Sequence, residues 1–523
     1  GEPTLTKNGT GNVVLQASNE IGNTVINEGM LTVSALANTS GTEYGSLGSV
    51  DKTITIKNGG ILSVSATTVS NHRILVGTGG ASISVQSGKT LTQSGNIAGS
   101  GQTLTKKGAG SLNTPSGFSV KRLVIEQGTV SASQSSNNVS LPDTVIFNGG
   151  TLYSPTTDEM PGFTTKAHFV VPKGKTGTFY GSSRGSHTGK LLGEGTFTAH
   201  GAGVRCYWAG DWSQFEGTIV PALTKRGSYD PTFDFTSNYG LPKATLRLNS
   251  GVTFTPSKSI EIGCVTGTGT LGGTNTYTIG GTGKDISVTF SATAPVIKVG
   301  EGTMTCNTAG KLSKTVTVKA GELHFDTGDS TTPVFGGSLT GDGTAHIIGN
   351  GLVASLIMKS GTQLSLRSMF LEETFGDLFP SVVSSNVAMN FNSGSTVLFI
   401  INSTDDGDYS MLKPKYLTMN GTVAVQLTDN YQPKVGDTFT LWSDASTFSG
   451  TPTFKLPGLP KGMAWDTSAV AAKTGILKIV EGTSLVGDVN NDGEVGIGDI
   501  VAITNIMAGT SSDTTEPEGT VIN

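Results

Sequence analysis

The sequence predicts an all-β fold, a parallel β-helix in which short strands stack coil upon coil. Three observations predict it. The chain writes one segment twice: Leu5–Ser34 (LTKNGTGNVVLQASNEIGNTVINEGMLTVS) and Leu104–Ser133 (LTKKGAGSLNTPSGFSVKRLVIEQGTVSAS) match at Leu5/Leu104, Gly9/Gly108, Ile26/Ile125 and Gly29/Gly128, always 99 residues apart. Each copy also holds its two glycines 20 residues apart, and self-similarity at roughly 20–50 residues is the mark of a solenoid. Finally, Gly fills 74 of 523 positions and charged residues only 14%. Apolar residues nevertheless keep alternating with polar ones, a pattern that a disordered chain does not sustain.

Taken in order, weaker copies of the strand–turn–strand unit follow the first. They are Ile54–Ser65 (ITIKNGGILSVS), Thr144–Ser154 (TVIFNGGTLYS), Thr245–Thr255 (TLRLNSGVTFT) and Val316–Phe325 (VTVKAGELHF), then Ser355–Leu366 (SLIMKSGTQLSL), Val387–Ile400 (VAMNFNSGSTVLFI) and Leu417–Leu427 (LTMNGTVAVQL). In each, a period of two turns one face inward and the other to water. The Asn/Ser/Ala-Gly step between the halves tolerates the positive φ of a sharp corner. A hairpin meander or an array of β-sandwiches would show the same local pattern. Repetition in register and Gly-rich connectors such as Gly77–Ala81 and Gly267–Asn275 favour coils that stack about 4.8 Å apart.

Residues 155–240 break the rhythm. His168, His187, His200, Cys206, Tyr207, Trp208 and Trp212 gather there, and Gly201–Val220 (GAGVRCYWAGDWSQFEGTIV) holds two of the four tryptophans. Two readings stand. A widened coil could carry an aromatic platform for a sugar ring, with Arg205, Tyr207, Trp208, Asp211 and Trp212 as the ligand-binding residues, or the segment could be packed against the coils as a plug. Large aromatics more often fill cores, which favours the plug. Arg205, Asp211 and Glu216 form the only compact charged set near aromatics, and no catalytic constellation stands out.

Charge and composition exclude several classes. A net charge of −5 with scattered basic residues leaves no face for nucleic acid. No apolar run approaches the ~18 residues of a spanning helix, so no membrane span is expected. Cys206, Cys264 and Cys306 lie far apart and cannot all pair, so they read as small buried hydrophobes. No signal peptide is seen, and Gly1 at the head of a repeat is consistent with a targeting segment already removed.

From Gly436 the composition becomes Pro-rich, with strands at each end, as expected of a segment hiding the last open edge. The expected organisation is therefore a β-solenoid over residues 1–435, a capping β segment over 436–484, and a calcium-loop unit with a polar tail over 485–523. In that unit Asp488–Asp499 reads DVNNDGEVGIGD. Oxygen ligands fall at loop positions 1, 3 and 5 (Asp488, Asn490, Asp492), Gly493 permits the turn, Glu494 offers its backbone carbonyl at 7, and Asp499 closes the loop at 12. Calcium needs six to eight oxygens, and this spacing wraps a short chain around it. Ile500, Val501, Ile503, Ile506 and Met507 then form an apolar stripe on a helix ending at Gly509.

Two resemblances follow from these residues. The pair Leu5–Ser34 and Leu104–Ser133, with L-T-K-x-G-x-G and (V/I)-x-x-G-x-(L/V), resembles the autotransporter-associated β-strand repeat of bacterial surface proteins. Phe448–Val480 is similar to the ending that often follows such repeats. That family implies a right-handed β-helix displayed outside the cell, in adhesion or as a stalk, and brings no catalytic residues. GDVNNDGEVGIGDIVAITNIMAG resembles one half of a type I dockerin, which implies calcium and a cohesin-like partner. No second loop follows Thr510, so a calcium-stiffened terminus fits as well. The expected function is a secreted or cell-surface, adhesin-like structural protein presenting loops to glycans or surfaces. The alternative is a polysaccharide-binding or polysaccharide-degrading β-helix protein (lyase or glycosidase) of a glycan-utilising bacterium, by analogy of fold.

Overall fold

The computed structural model describes residues 2–37, 44–132, 141–153, 164–181, 185–202, 206–224, 233–328, 331–368, 371–372, 377–443, 445–482, 487–490 and 495–508. Strands occupy 51% of the chain and helix 3%, in large parallel sheets that make an all-β solenoid. The chain divides into two compact units, Gly1–Thr282 and Gly283–Asn523. That division falls inside the stretch read from sequence as one solenoid region.

In the first unit a parallel ladder runs from Leu5–Lys7 through Thr24–Ile26, Ile54–Ile56, Ile74–Val76, Ile97–Lys107, Phe118–Ile125, Thr144–Phe147 and His168–Val171 to Leu191–Gly193. A second ladder runs from Thr68–Ser70 through Thr90–Gln93, Ser111–Thr114 and Thr129–Ala132 onward to Tyr277–Ile279. A third begins at Thr164–Thr165 and takes in Gly185–His187, Cys206–Trp208, Phe233–Phe235, Thr253–Pro256 and Thr270–Leu271. The coil length is the pairing offset: Ile54 faces Ile74, and Ile74 faces Ile97.

The register rejects the hairpin meander. Ile54–Ile56 and Ile61–Val64 flank the Asn58-Gly59 corner yet do not pair with each other; they pair in parallel with Thr24–Ile26 and Met30–Val33. Asn58 sits at φ +52° and Gly59 at +74°, the left-handed region that the corner requires. Most inward positions are apolar and closed to water: Ile26, Ile56, Leu62, Ile74, Leu104, Leu123 and Ile125 all lie in the core. Each such side chain stabilises the fold by roughly 1.5–3 kcal/mol through burial.

The repeated L-T-K-x-G-x-G element has a physical cause. Lys106 is an inward residue, fully buried, and its Nζ donates to the carbonyls of Lys107 (2.7 Å), Gly108 (2.7 Å) and Gln127 (3.2 Å). Lys7 does the same with Asn8 (2.9 Å), Gly9 (2.6 Å) and Glu28 (3.1 Å). An ammonium has three donors and no acceptor, so it fits a ring of carbonyls left open by the turn. Gly128, at φ +69°, lies over that turn: a Cβ there would approach the Gly110 oxygen to 2.3 Å and the Gly108 oxygen to 2.7 Å. The glycine spacing of the repeat is thus the distance from one corner to the corner stacked on it.

In the second unit one ladder passes through Val296–Lys298, Val316–Val318, Ser338–Gly341, Ser355–Met358, Val382–Phe391 and Met411–Met419 to Thr447–Ser449. Another passes through Ile286–Ser287, Thr303–Cys306, Glu322–Asp326, His346–Val353, Gln363–Leu366, Thr396–Ile401 and Thr422–Leu427 to Thr453–Lys455. Lys298 repeats the corner clamp, donating to Gly300 (2.5 Å) and Ala320 (2.7 Å). Near the end the pairing turns antiparallel: Gly475–Glu481 lies against both Thr438–Trp442 and Met463–Asp466. Cys206, Cys264 and Cys306 are buried and not joined in disulfides, as the composition suggested. Burial pushes the Cys206 thiol up to about 12.

Candidate functional site

Four places carry chemistry, and the first is the loop before the C-terminal helix. Asp499 is the third residue of helix Ile497–Met507, whose N-terminus begins after extended Gly496. Its Oδ2 accepts from the Gly496 N–H (2.6 Å), and its Oδ1 accepts from the N–H groups of Val489 (2.7 Å) and Asn490 (3.2 Å). The Gly496 amide is the largest influence holding the carboxyl below its ordinary range; burial opposes it, and Asn490 and Val489 add to it. Loop position 12 is therefore folded back onto positions 2 and 3. Asp492 and Glu494 lie outside the described residues.

The donors present suit a hard cation: Asp488, Asn490 and Asp499 offer oxygens, and a carboxylate retains acceptor sites beyond the three amides. Among the described residues no group of three or more His, Cys, Asp or Glu side chains is placed to hold a metal. The helix carries its apolar residues outward, with Ile497 80% exposed, Ile500 60% and Met507 73%.

Of the two readings of the aromatic segment, burial holds for both tryptophans and the platform for a sugar ring does not. Trp208 and Trp212 are fully buried, so neither offers a face to a sugar ring. Trp208 stacks on Phe233 at 5.4 Å between centroids and meets Phe179 edge-on at 5.9 Å. Trp212 meets Phe197 edge-on at 5.8 Å, and its Nε1 donates to His187 Nδ1 (3.3 Å). His187 stacks on Phe169 at 4.1 Å, and its Nε2 lies 3.0 Å from the Ala167 carbonyl oxygen. That geometry requires the Nε2–H tautomer, with Nδ1 accepting. Burial pulls the His187 imidazole down to about 4, so it is neutral. The sequence cue of clustered aromatics was sound, but it marks the filling of wide coils. Tyr207 and Asp211 are half-buried, and Asp211 accepts from the N–H (3.1 Å) and Oγ (2.6 Å) of Ser213. Arg205 lies outside the described residues.

A third cluster escaped the sequence reading. On Glu322–Asp326 the alternation E-L-H-F-D turns Glu322, His324 and Asp326 outward, and register sets His346 beside Glu322. Glu322 Oε2 lies 2.8 Å from His324 Nε2, its Oε1 3.2 Å from His346 Nδ1, and His346 Nε2 2.9 Å from Ser365 Oγ. Burial raises the Glu322 carboxyl, but the hydrogen bonds from His324 and His346 outweigh it and hold the group below its ordinary range. Nearby Glu372 pairs with Arg367 (3.2 Å), while burial lifts its carboxyl above the ordinary range. Two carboxylates pushed apart in this way suit acid–base chemistry. Here, however, Glu372 Oε1 is buried without a hydrogen-bond partner, and the other oxygen is held by Arg367. Ser368 Oγ donates to Asp326 (2.6 Å), so the cluster ties the segment after Leu366 down onto the sheet.

The fourth place is an open cavity of about 350 Å³ in the first unit, between the turn at Ser237–Gly240 and the next coil at Pro256–Glu261. No family model matches the chain, and no curated protein matches it.

Proposed function

We propose that the chain is a secreted or cell-surface, adhesin-like β-helical protein that presents turns and loops for contact with glycans or surfaces, and that its C-terminal loop binds calcium. One observation carries this reading. Among the described residues of both units the interior is closed and mostly apolar. Its buried polar groups, such as Lys106, His187 and Lys298, are turned inward, so the polar side chains able to meet another molecule lie on turns and outward faces. A scaffold of stacked coils holds such turns rigidly while leaving their composition free.

Asp488, Asn490 and Asp499, with Asp492 and the Glu494 carbonyl, would hold the calcium ion. The ion would fasten the start of the helix and turn its outward apolar residues toward a cohesin-like partner. The helix is only 11 residues long, and helices this short are marginal in water without packing.

Location is tested by treating intact cells with protease and probing for the chain. Loss from intact cells is expected; protection until lysis would sink the surface reading. For the ion, calorimetric titration of the full chain with calcium is expected to show one site that Asp488→Ala abolishes. Equal heats in both proteins would remove the site.

A further inference from the structure

The cavity beside Tyr239 differs from the tryptophan segment in that its aromatic ring faces water. Tyr239 is 54% exposed at the tip of the Ser237–Gly240 turn, and Asn238, Lys258, Ser259 and Glu261 are exposed around it, with Pro256 at the wall. The turn is pinned. Ser237 Oγ donates to the Gly210 carbonyl (2.7 Å) and accepts from the Tyr239 N–H (3.1 Å). Gly240 lies so close to the next coil that a Cβ would approach the Glu261 oxygen to 2.7 Å. The two turns are therefore seated back to back, and the cavity between them is preformed.

We propose that this cavity binds one ring of a neutral saccharide. It rests on the surface reading above and names the class of ligand. A sugar ring has an apolar C–H face and a rim of hydroxyls; Tyr239 offers a ring face to the first, and the Asn238 amide, Lys258 ammonium and Glu261 carboxylate offer donors and acceptors to the second. Lys258 already holds Asn238 Oδ1 at 2.5 Å, which fixes both heads at the rim. One cation and one carboxylate line the cavity. Their charges offset each other, so neither a uronate nor an amino sugar gains over a neutral ring. The volume lies in the range of small-ligand pockets.

The test uses the full chain on an array of defined neutral oligosaccharides built from glucose, galactose, mannose and xylose, with uronate oligomers alongside. The best binder is then titrated against Tyr239→Ala and Lys258→Ala, both surface changes. Binding of a neutral oligosaccharide is expected, weakened about tenfold or more by Tyr239→Ala. Undiminished binding by Tyr239→Ala, preference for the uronates, or no binding on the array would each overturn the site. Those failures leave the protease experiment on cells untouched, and a chain protected until lysis that still binds through Tyr239 would sink the surface reading alone.

Discussion

Within the first unit, the coils from Leu5 to Ala132 and those from Thr144 to Ile279 share one ladder geometry but are filled by different means. The earlier coils are narrow and aliphatic, with Leu31, Ile56, Leu62, Leu104 and Leu123 buried, and their tight corners are held by buried ammonium groups. The later coils are wide enough for Phe147, Phe169, Phe179, Phe197, Trp208, Trp212 and Phe233 in contact through the interior, with His187 among them. Parallel pairing fixes only the spacing between coils. The width of a coil is left to its side chains, so one ladder tolerates two interiors.

The largest effect should come from emptying the wide interior. Trp208→Ala removes an indole in contact with Phe179, Trp212 and Phe233; loss of about 3–5 kcal/mol is expected in denaturant unfolding. Trp208→Phe should cost less, because the Trp208 Nε1 is buried with no hydrogen-bond partner and the change removes that unsatisfied donor. If both variants cost the same, the interior is less closely packed than the ring contacts indicate.

A second effect is read by pH, and it is centred on the wide interior. His187 titrates near 6.5 when unfolded but is pulled to about 4 in the fold, chiefly by burial, with His168 adding and the Ala167 carbonyl opposing. Between those values the unfolded chain binds more protons, so stability rises with pH there. The contribution is complete above 6.5 and is lost as pH falls toward 4, approaching about 3 kcal/mol. Burial also lowers His72 and His200, which act in the same direction. The decisive measurement is therefore the difference in melting temperature against pH between the native chain and His187→Gln. The variant should show a shallower slope; parallel curves would show that His187 does not govern it.

These two interiors were not equally legible in the amino-acid sequence. Strand alternation and glycine corners could be read because they are local, and Asp499 could be placed at the loop closure because twelve-residue spacing is local too. Burial of Trp208 and Trp212 could be favoured from residue type alone. That Cys206–Trp208 is a strand of the coil and not a plug packed against it depends on how wide a coil the neighbouring turns enclose, which no period reveals. The Glu322–His346 contact depends on the length of one particular coil, and coil lengths vary from rung to rung. Lys298 escaped notice for a simpler reason: V-I-K-V-G-E-G keeps the K-x-G-x-G core of the repeat but changes the residues around it.

The clamp itself yields the smallest effect. Lys106 is fully buried, and burial pulls its ammonium down to about 8. The carbonyls of Lys107, Gly108 and Gln127 all accept from it, and an ammonium can satisfy all three where a neutral amine cannot. Lys106→Met keeps the apolar stem and removes the charge. It sheds the cost of burying an ion but leaves three carbonyls facing an apolar group, and the balance should be a loss of about 1–3 kcal/mol in denaturant unfolding. Lys298→Met should behave alike in the second unit, where the ammonium meets two carbonyls and the loss should be smaller. A gain in stability at either position would mean that desolvation outweighs the hydrogen bonds. The recurring lysine would then owe its place to something other than the corner it closes.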